Sequence, residues 1–256
     1  MISFEQLQAI LASDAEEIAA KYQCCADLNL YASPRCTRLA TQAAVGRHLR
    51  IISLHEDTAF KVCLCEDDYP GWLLIQDLSL LKPATVPYQA MVGASYPARG
   101  AKIYAQALSH AEIKTRLPAV ISFTHLAMQQ PNYYLWGGTL GPNYDCSGLM
   151  QAAFASVGIW LPRDAYQQEA FTQSIAKEKL LPGDLVFFGP AEKATHVGLY
   201  LGEGFYIHSS GQQLGRNGIG IDRLSEQGDE ISRSYYRQLR SCGRVVECYE
   251  PQERSG

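Results

Sequence analysis

Apolar residues at helical spacing follow Asp145-Cys146: Leu149, Met150, Ala153, Phe154 and Val157 recur every three to four positions. Gly158 stands where a helix commonly ends in a left-handed turn, so the pattern predicts a helix that starts at Cys146 and stops short of that glycine. The preceding Gly137-Gly138-Thr139-Leu140-Gly141-Pro142-Asn143 reads as loop. Farther along, Val197–Tyr200 and Phe205–His208 read as two strands joined around Gly202-Glu203-Gly204. Leu214-Gly215-Arg216-Asn217-Gly218-Ile219-Gly220 has no strand-to-helix setting for a phosphate loop and reads as a flexible loop near the cleft.

The N-terminal third is patterned differently. Phe4, Leu7, Ile10, Leu11 and Ile18 against Glu16, Glu17 and Lys21 predict an amphipathic helix within residues 1–22. Short apolar runs with polar breaks follow at Asn29–Tyr31, Gly46–Ile52, Ala59–Leu64 and Gly71–Ile75, and several such strands in so short a stretch predict a small barrel. Lys82 to Pro97 contains three prolines and reads as a linker.

Composition narrows the function classes. A chain of 256 residues that is 47% hydrophobic has ample material for a buried core and for more than one domain. A net charge of −4 gives no electrostatic case for binding nucleic acid or an anionic membrane. Met1-Ile2-Ser3-Phe4-Glu5 lacks a basic start, and the first segment is too poor in apolar residues to span a bilayer, so a cytoplasmic protein is expected. Reserving Cys146 leaves seven other cysteines, an awkward number for a disulfide framework, which fits a reducing compartment. No Cys-x-x-Cys and no His/Cys/carboxylate cluster at zinc spacing is present, so neither a metal nor a cofactor is expected.

The candidate chemistry centres on Cys146. At the start of a helix, unpaired backbone N–H groups and the macrodipole favour an anion, which predicts a thiolate at neutral pH. His196 and His208 lie downstream on the predicted hairpin. Because strand side chains alternate, a three-residue loop would give both imidazoles the same facing, whereas a two-residue turn would put them on opposite faces. A thiol, a base and a group that orients the base are what nucleophilic acyl chemistry requires.

Several further motifs appear in order. They are Asn132–Gly138, Asp145-Cys146-Ser147-Gly148-Leu149, Leu161-Pro162-Arg163-Asp164, Pro182-Gly183-Asp184-Leu185-Val186-Phe187-Phe188, His196–Tyr200 and Ile207-His208. Together they resemble the NlpC family of bacterial cell-wall peptidases. The resemblance implies an α+β protein with a papain-like cysteine peptidase domain over residues 115–250. Leu28-Asn29-Leu30-Tyr31 and Pro70-Gly71-Trp72-Leu73 are similar to a bacterial SH3-like barrel, expected with the initial helix over residues 1–82, with a connecting segment over 83–114.

What the resemblance implies is hydrolysis of the γ-D-glutamyl–diamino acid bond in murein stem peptides, L-Ala-γ-D-Glu-diamino acid. Cys146 would be the nucleophile, His196 the general base, His208 the residue orienting it, and Tyr134 a donor to the oxyanion. The barrel could bind cell wall or wall off the cleft. In the second arrangement Asp145 and Tyr69 would hold a free N-terminal amine, which points to recycled peptides as substrate. Trp136, Ser147, Arg163 and Asp164 would line the pocket, Arg163 at a substrate carboxylate and Asp164 at the distal ammonium of the diamino acid. Relatives often carry serine where this chain has Ala165, so one hydroxyl contact to the diamino acid is missing. Plainer roles exist for the same residues: helix caps for Asp145 and Asp164, a first-turn hydroxyl for Ser147, and packing beside Trp136 for Tyr134. Acyl transfer to an amine uses the same thiol chemistry, and papain-like folds host both.

Overall fold

The computed structural model describes residues 4–12, 21–84 and 108–251. The chain divides into two compact units, residues 1–105 with 250–256, and residues 106–249.

The first unit holds helix α1 (Phe4–Ala12) and strands β1 (Lys21–Cys24), β2 (Leu28–Tyr31), β3 (Leu39–Ala43), β4 (His48–His55), β5 (Ala59–Leu64), β6 (Pro70–Leu74) and β7 (Leu81–Pro83). They pair antiparallel in the order β3-β2-β6-β5-β4-β1-β7. Alternation sends Leu28, Leu30, Phe60, Val62 and Leu64 inward, and Leu7 of α1 joins the same core. All four expected runs are strands.

Lys21, expected on the polar face of the first helix, instead begins β1, which is paired on both sides by β4 and β7. Lys82 and Pro83, expected in the linker, extend β7. These pieces are too short to carry a readable period and are strands because neighbours supply hydrogen-bond partners. Ile18, Glu16 and Glu17, and the linker from residue 85 on, lie outside the described residues.

The second unit begins with α2 (His110–Gln129), preceded by a capping box. The Glu112 N–H donates to Ser109 Oγ at 3.3 Å, and the Ser109 N–H donates to Glu112 Oε2 at 2.8 Å. Then come α3 (Cys146–Ala155), α4 (Ala165–Phe171), β8 (Gln173–Ile175), β9 (Leu185–Phe188), β10 (His196–Gly202), β11 (Phe205–Ser210), β12 (Gly218–Arg223), α5 (Glu230–Tyr236) and β13 (Leu239–Arg244). The strands form an antiparallel sheet in the order β12-β11-β10-β9-β13-β8.

Helix α3 is packed where its sequence pattern directs. Leu149, Met150, Ala153 and Phe154 are buried with Leu185, Phe187, Val197, Leu199 and Ile207 of the sheet. Each of these side chains larger than alanine contributes roughly 1.5–3 kcal/mol on burial. Gly158 follows in the left-handed region with φ 79°, as expected at this position. On the opposite sheet face Val186, Phe188, Tyr206 and Tyr235 of α5 form a second core. The Pro182-Gly183-Asp184 motif braces the sheet: buried Asp184 pairs with Arg244 at 2.7 Å and accepts the Leu181 N–H at 2.7 Å.

Residues 214–220, read as a loop, meet that expectation only at Gly215 to Asn217, which carry no helix or strand. Gly218 onward is the edge strand β12, in register with β11 from Phe205↔Arg223 to Ser210↔Gly218. Gly218 and Gly220 hid a strand whose partner, rather than its own side chains, holds it straight.

Candidate active site

Asp145 is the N-cap of α3, which makes Cys146 the first helical residue. Its Oδ1 accepts the Gly148 N–H at 2.7 Å, and its Oδ2 accepts the Gly137 N–H at 2.9 Å. A Cβ on Gly148 would stand 2.0 Å from the Gly138 carbonyl oxygen, so the loop can approach the helix start only because residue 148 is glycine. Ser209 Oγ donates to the Tyr144 carbonyl at 2.7 Å and ties the segment entering Cys146 to β11.

The hairpin that carries the histidines turns through Glu203-Gly204, both at positive φ (53° and 78°), as a primed two-residue turn requires. By alternation alone that turn would set His196 and His208 on opposite faces. The register slips between Tyr200 and Gly202, and this one-residue bulge restores the shared facing. His196 Nε2 lies 2.6 Å from His208 Nδ1, with both rings buried. Gly198, opposite His208 across the ladder, leaves the space they need: a Cβ there would meet the Tyr206 ring at 2.7 Å and His208 Cβ at 3.3 Å.

Beyond the histidines stands Asp222 of β12, which sequence reasoning did not single out. Its Oδ2 is 2.6 Å from His208 Nε2 and accepts Arg216 Nε–H at 3.2 Å. Its Oδ1 accepts the Ser232 hydroxyl at 2.8 Å and an N–H from Arg216 Nη2. The only available signal was its place on the strand next to His208, and that strand itself was unread. Tyr235 was missed as well. Its ring covers His196 at a centroid distance of 4.5 Å and an angle of 31°.

The Cys146 sulfur accepts backbone N–H groups from Ser147 and Val197, which sets it against the residue next to His196. Burial, followed by the Asp145 charge, nevertheless pushes the thiol up to about 12. Burial also drives the His196 imidazole well below its ordinary value, with His208 adding to the effect. Both shifts favour a neutral thiol and a neutral imidazole, against the thiolate expected from the helix terminus. Desolvation of a side chain that is 6% exposed outweighs two N–H donors and a helix dipole. Tyr134 is near enough for the charges of Cys146 and Asp145 to act on it, and burial raises its hydroxyl far above the ordinary value, so it remains a hydrogen-bond donor.

The other expected residues are distributed as follows. Arg163, 1% exposed, binds Asp145 through Nη2–Oδ2 at 2.7 Å and Nη1–Oδ1 at 3.1 Å, and reaches Ser147 Oγ at 3.0 Å. Asp145, Ser147 and Arg163 thus form one buried cluster, and the guanidinium expected at a substrate carboxylate is turned inward to hold the helix cap. Asp164 caps α4, its N–H donating to Gln167 Oε1 at 2.9 Å. Trp136 is 56% exposed on the loop before Gly137. Tyr69 belongs to the first unit, in the turn between β5 and β6, where its N–H donates to Asp67 Oδ1 at 3.3 Å. Among the described residues no group of three or more His, Cys, Asp or Glu is placed to hold a metal, and no helix is long and apolar enough to cross a membrane.

A thiol at a helix start beside a histidine pair on an antiparallel sheet is the arrangement that nucleophilic thiol chemistry requires. Residues 131–239 match the NlpC/P60 family and residues 30–78 match the bacterial dipeptidyl-peptidase SH3 domain, so the chain carries an NlpC/P60 domain behind a bacterial SH3 domain. It is 39% identical over 117 residues to the bifunctional muramidase/DL-endopeptidase CwlT of Bacillus subtilis, covering 44% of this chain and 32% of that protein. It is 42% identical over 79 residues to a gamma-D-glutamyl-L-lysine dipeptidyl-peptidase of the same organism, covering 30% of this chain and 27% of the relative. The matches span about a third or less of these proteins. Among solved structures, an NlpC/P60 family protein from Bacillus cereus aligns with TM-score 0.44 at 20% identity, over 91% of this chain and 67% of that one.

Proposed function

We propose that the chain hydrolyses the γ-D-glutamyl–diamino acid bond of murein stem peptides, acting on peptides with a free N-terminal L-alanine released during cell-wall recycling in the cytoplasm. The observation that carries this reading is the Cys146 sulfur held by the Val197 N–H beside the 2.6 Å His196–His208 pair.

In this reading His196 takes the thiol proton as Sγ attacks the amide carbonyl carbon. The Cys146 backbone N–H and the Tyr134 hydroxyl receive the developing oxyanion. The same proton then passes to the departing amine, the C–N bond breaks, and water hydrolyses the thioester. Relatives named dipeptidyl-peptidases support a preference for the peptide's end, and the demand for a free amine is assigned to Asp145. Trp136, Ser147 and Asp164 are assigned to the substrate pocket, with Arg163 supporting it through Asp145.

The test is mass spectrometry after incubation with L-Ala-γ-D-Glu-diaminopimelate, the corresponding lysine peptide, and each peptide bearing N-acetylmuramic acid. Release of L-Ala-D-Glu from the free peptides alone is the expected result. Equal cleavage of the muramyl peptides would replace recycling with wall remodelling, and no cleavage of any would remove the proposed substrate.

A further inference from the structure

The donor and acceptor inventory of the buried relay leaves little freedom. An ionised carboxylate only accepts hydrogen bonds, and a neutral imidazole has one N–H and one lone pair. Asp222 is held ionised, its carboxyl well below the usual range despite burial, by hydrogen bonds from His208, Arg216 and Ser232. Facing Asp222 Oδ2 at 2.6 Å, His208 Nε2 must carry its hydrogen, which leaves a lone pair on Nδ1. That lone pair faces His196 Nε2 at 2.6 Å, so the His196 hydrogen sits on Nε2 and the His196 lone pair is on Nδ1.

We propose that Asp222 is a positioning residue that sets the tautomers of both histidines and so reserves the Nδ1 lone pair of His196 for the Cys146 thiol. This rests on the reading of His196 as the base. Asp222 is itself anchored: Arg216 joins it to Asp229 at 2.7 Å, Asp229 caps α5 by accepting the Ser232 N–H at 2.8 Å, and the Ser232 hydroxyl returns to Asp222. During attack the thiol proton moves to His196 Nδ1. The imidazolium then keeps its Nε2–H on His208 Nδ1, and no proton moves on to Asp222. Two rings separate Asp222 from the sulfur, so it acts through hydrogen-bond direction and charge rather than contact with substrate.

The test is Asp222→Asn in the full chain. An asparagine amide can present N–H to His208 Nε2, which would reverse both rings and place a hydrogen on His196 Nδ1, where the base must have none. The expected result is a kcat lower by about 10²–10⁴-fold with KM within about threefold. Nitrogen-15 NMR of the imidazoles should show Nε2–H for both rings in the unchanged protein and Nδ1–H in the variant. Iodoacetamide alkylation of Cys146 should slow in parallel. An Asp222→Asn protein with unaltered tautomers and unaltered alkylation overturns the proposal. Should that variant not fold, the unchanged protein still decides the matter, because a hydrogen on His196 Nδ1 in its spectrum is equally fatal. NMR and alkylation need no substrate, so failure of the murein-peptide reading would be seen separately, as an unchanged protein with the expected tautomers and no peptide cleavage.

Discussion

The Tyr235 ring lies over the His196 imidazole, centroids 4.5 Å apart, while Phe188 flanks the same imidazole at 5.9 Å. Phe188 and Tyr235 also touch each other, centroids 5.4 Å apart, so the two rings pack with the imidazole as one cluster that supplements its 2.6 Å hydrogen bond to His208, and such contacts add about 0.5–1.5 kcal/mol beyond area burial. Tyr235→Leu is expected to lower kcat about tenfold with little change in KM, and Tyr235→Phe, which retains the ring, to stay within about threefold of the unchanged enzyme. Steady-state kinetics on the cleaved peptide check this; equal losses in both variants would move the role from the ring face to the hydroxyl.

Cys146→Ala should abolish turnover while leaving peptide binding, measured by calorimetry, nearly intact. Because burial pushes the thiol up to about 12, iodoacetamide should modify Cys146 slowly at neutral pH, and its rate should climb steadily with pH. A fast, pH-independent reaction around neutrality would reveal a thiolate already formed.

The histidines set the acid side of the pH profile. His196 must be neutral to accept the thiol proton, and burial holds its pKa well below 6.5. The acid limb of kcat/KM is therefore expected below that value, and a limb at or above it would contradict the buried, neutral base. Stability follows the same sign. The unfolded chain takes up protons at His196 and His208 that the folded chain refuses, so stability is full above about pH 6.5 and falls as pH drops toward the folded values. The slope is up to about 1.4 kcal/mol per pH unit for each ring, readable from urea midpoints across acid pH.

Arg163 is 1% exposed and takes its charge partner from Asp145. Asp145→Asn leaves a buried guanidinium without its carboxylate, which costs about 3–5 kcal/mol, and it should lower the urea midpoint accordingly. The same variant examined with free and N-acetylated peptides separates the two roles. A narrowed rate ratio would assign the amine to Asp145, and an unchanged ratio with reduced stability would leave it only the cap and the ion pair.

The helix at Cys146 was legible because five apolar side chains repeat at one period and a glycine closes the segment, all within a dozen residues. Four strands of the first unit were legible for the same local reason. Lys21–Cys24 and Gly218–Arg223 were not, since a four-residue strand and a glycine-rich edge strand owe their conformation to pairing with β4, β7 and β11. The buried ion pair was illegible too: Asp145 and Arg163 are separated by the length of α3, and only the turn beyond that helix brings them together.

By itself, then, the sequence determined the identity and order of the candidate groups: a cysteine after a helix cap, then two histidines on a hairpin, because cap residues, helical period and strand alternation are local properties. Tertiary structure alone decided whether those groups work together. The two-residue turn predicted opposed histidines, and a bulge of one residue reversed that outcome. Burial decided the protonation of Cys146 against the helix dipole, and the pairing of β12 with β11 delivered Asp222 to His208. Register and desolvation depend on neighbours distant in the chain, and no local pattern records them.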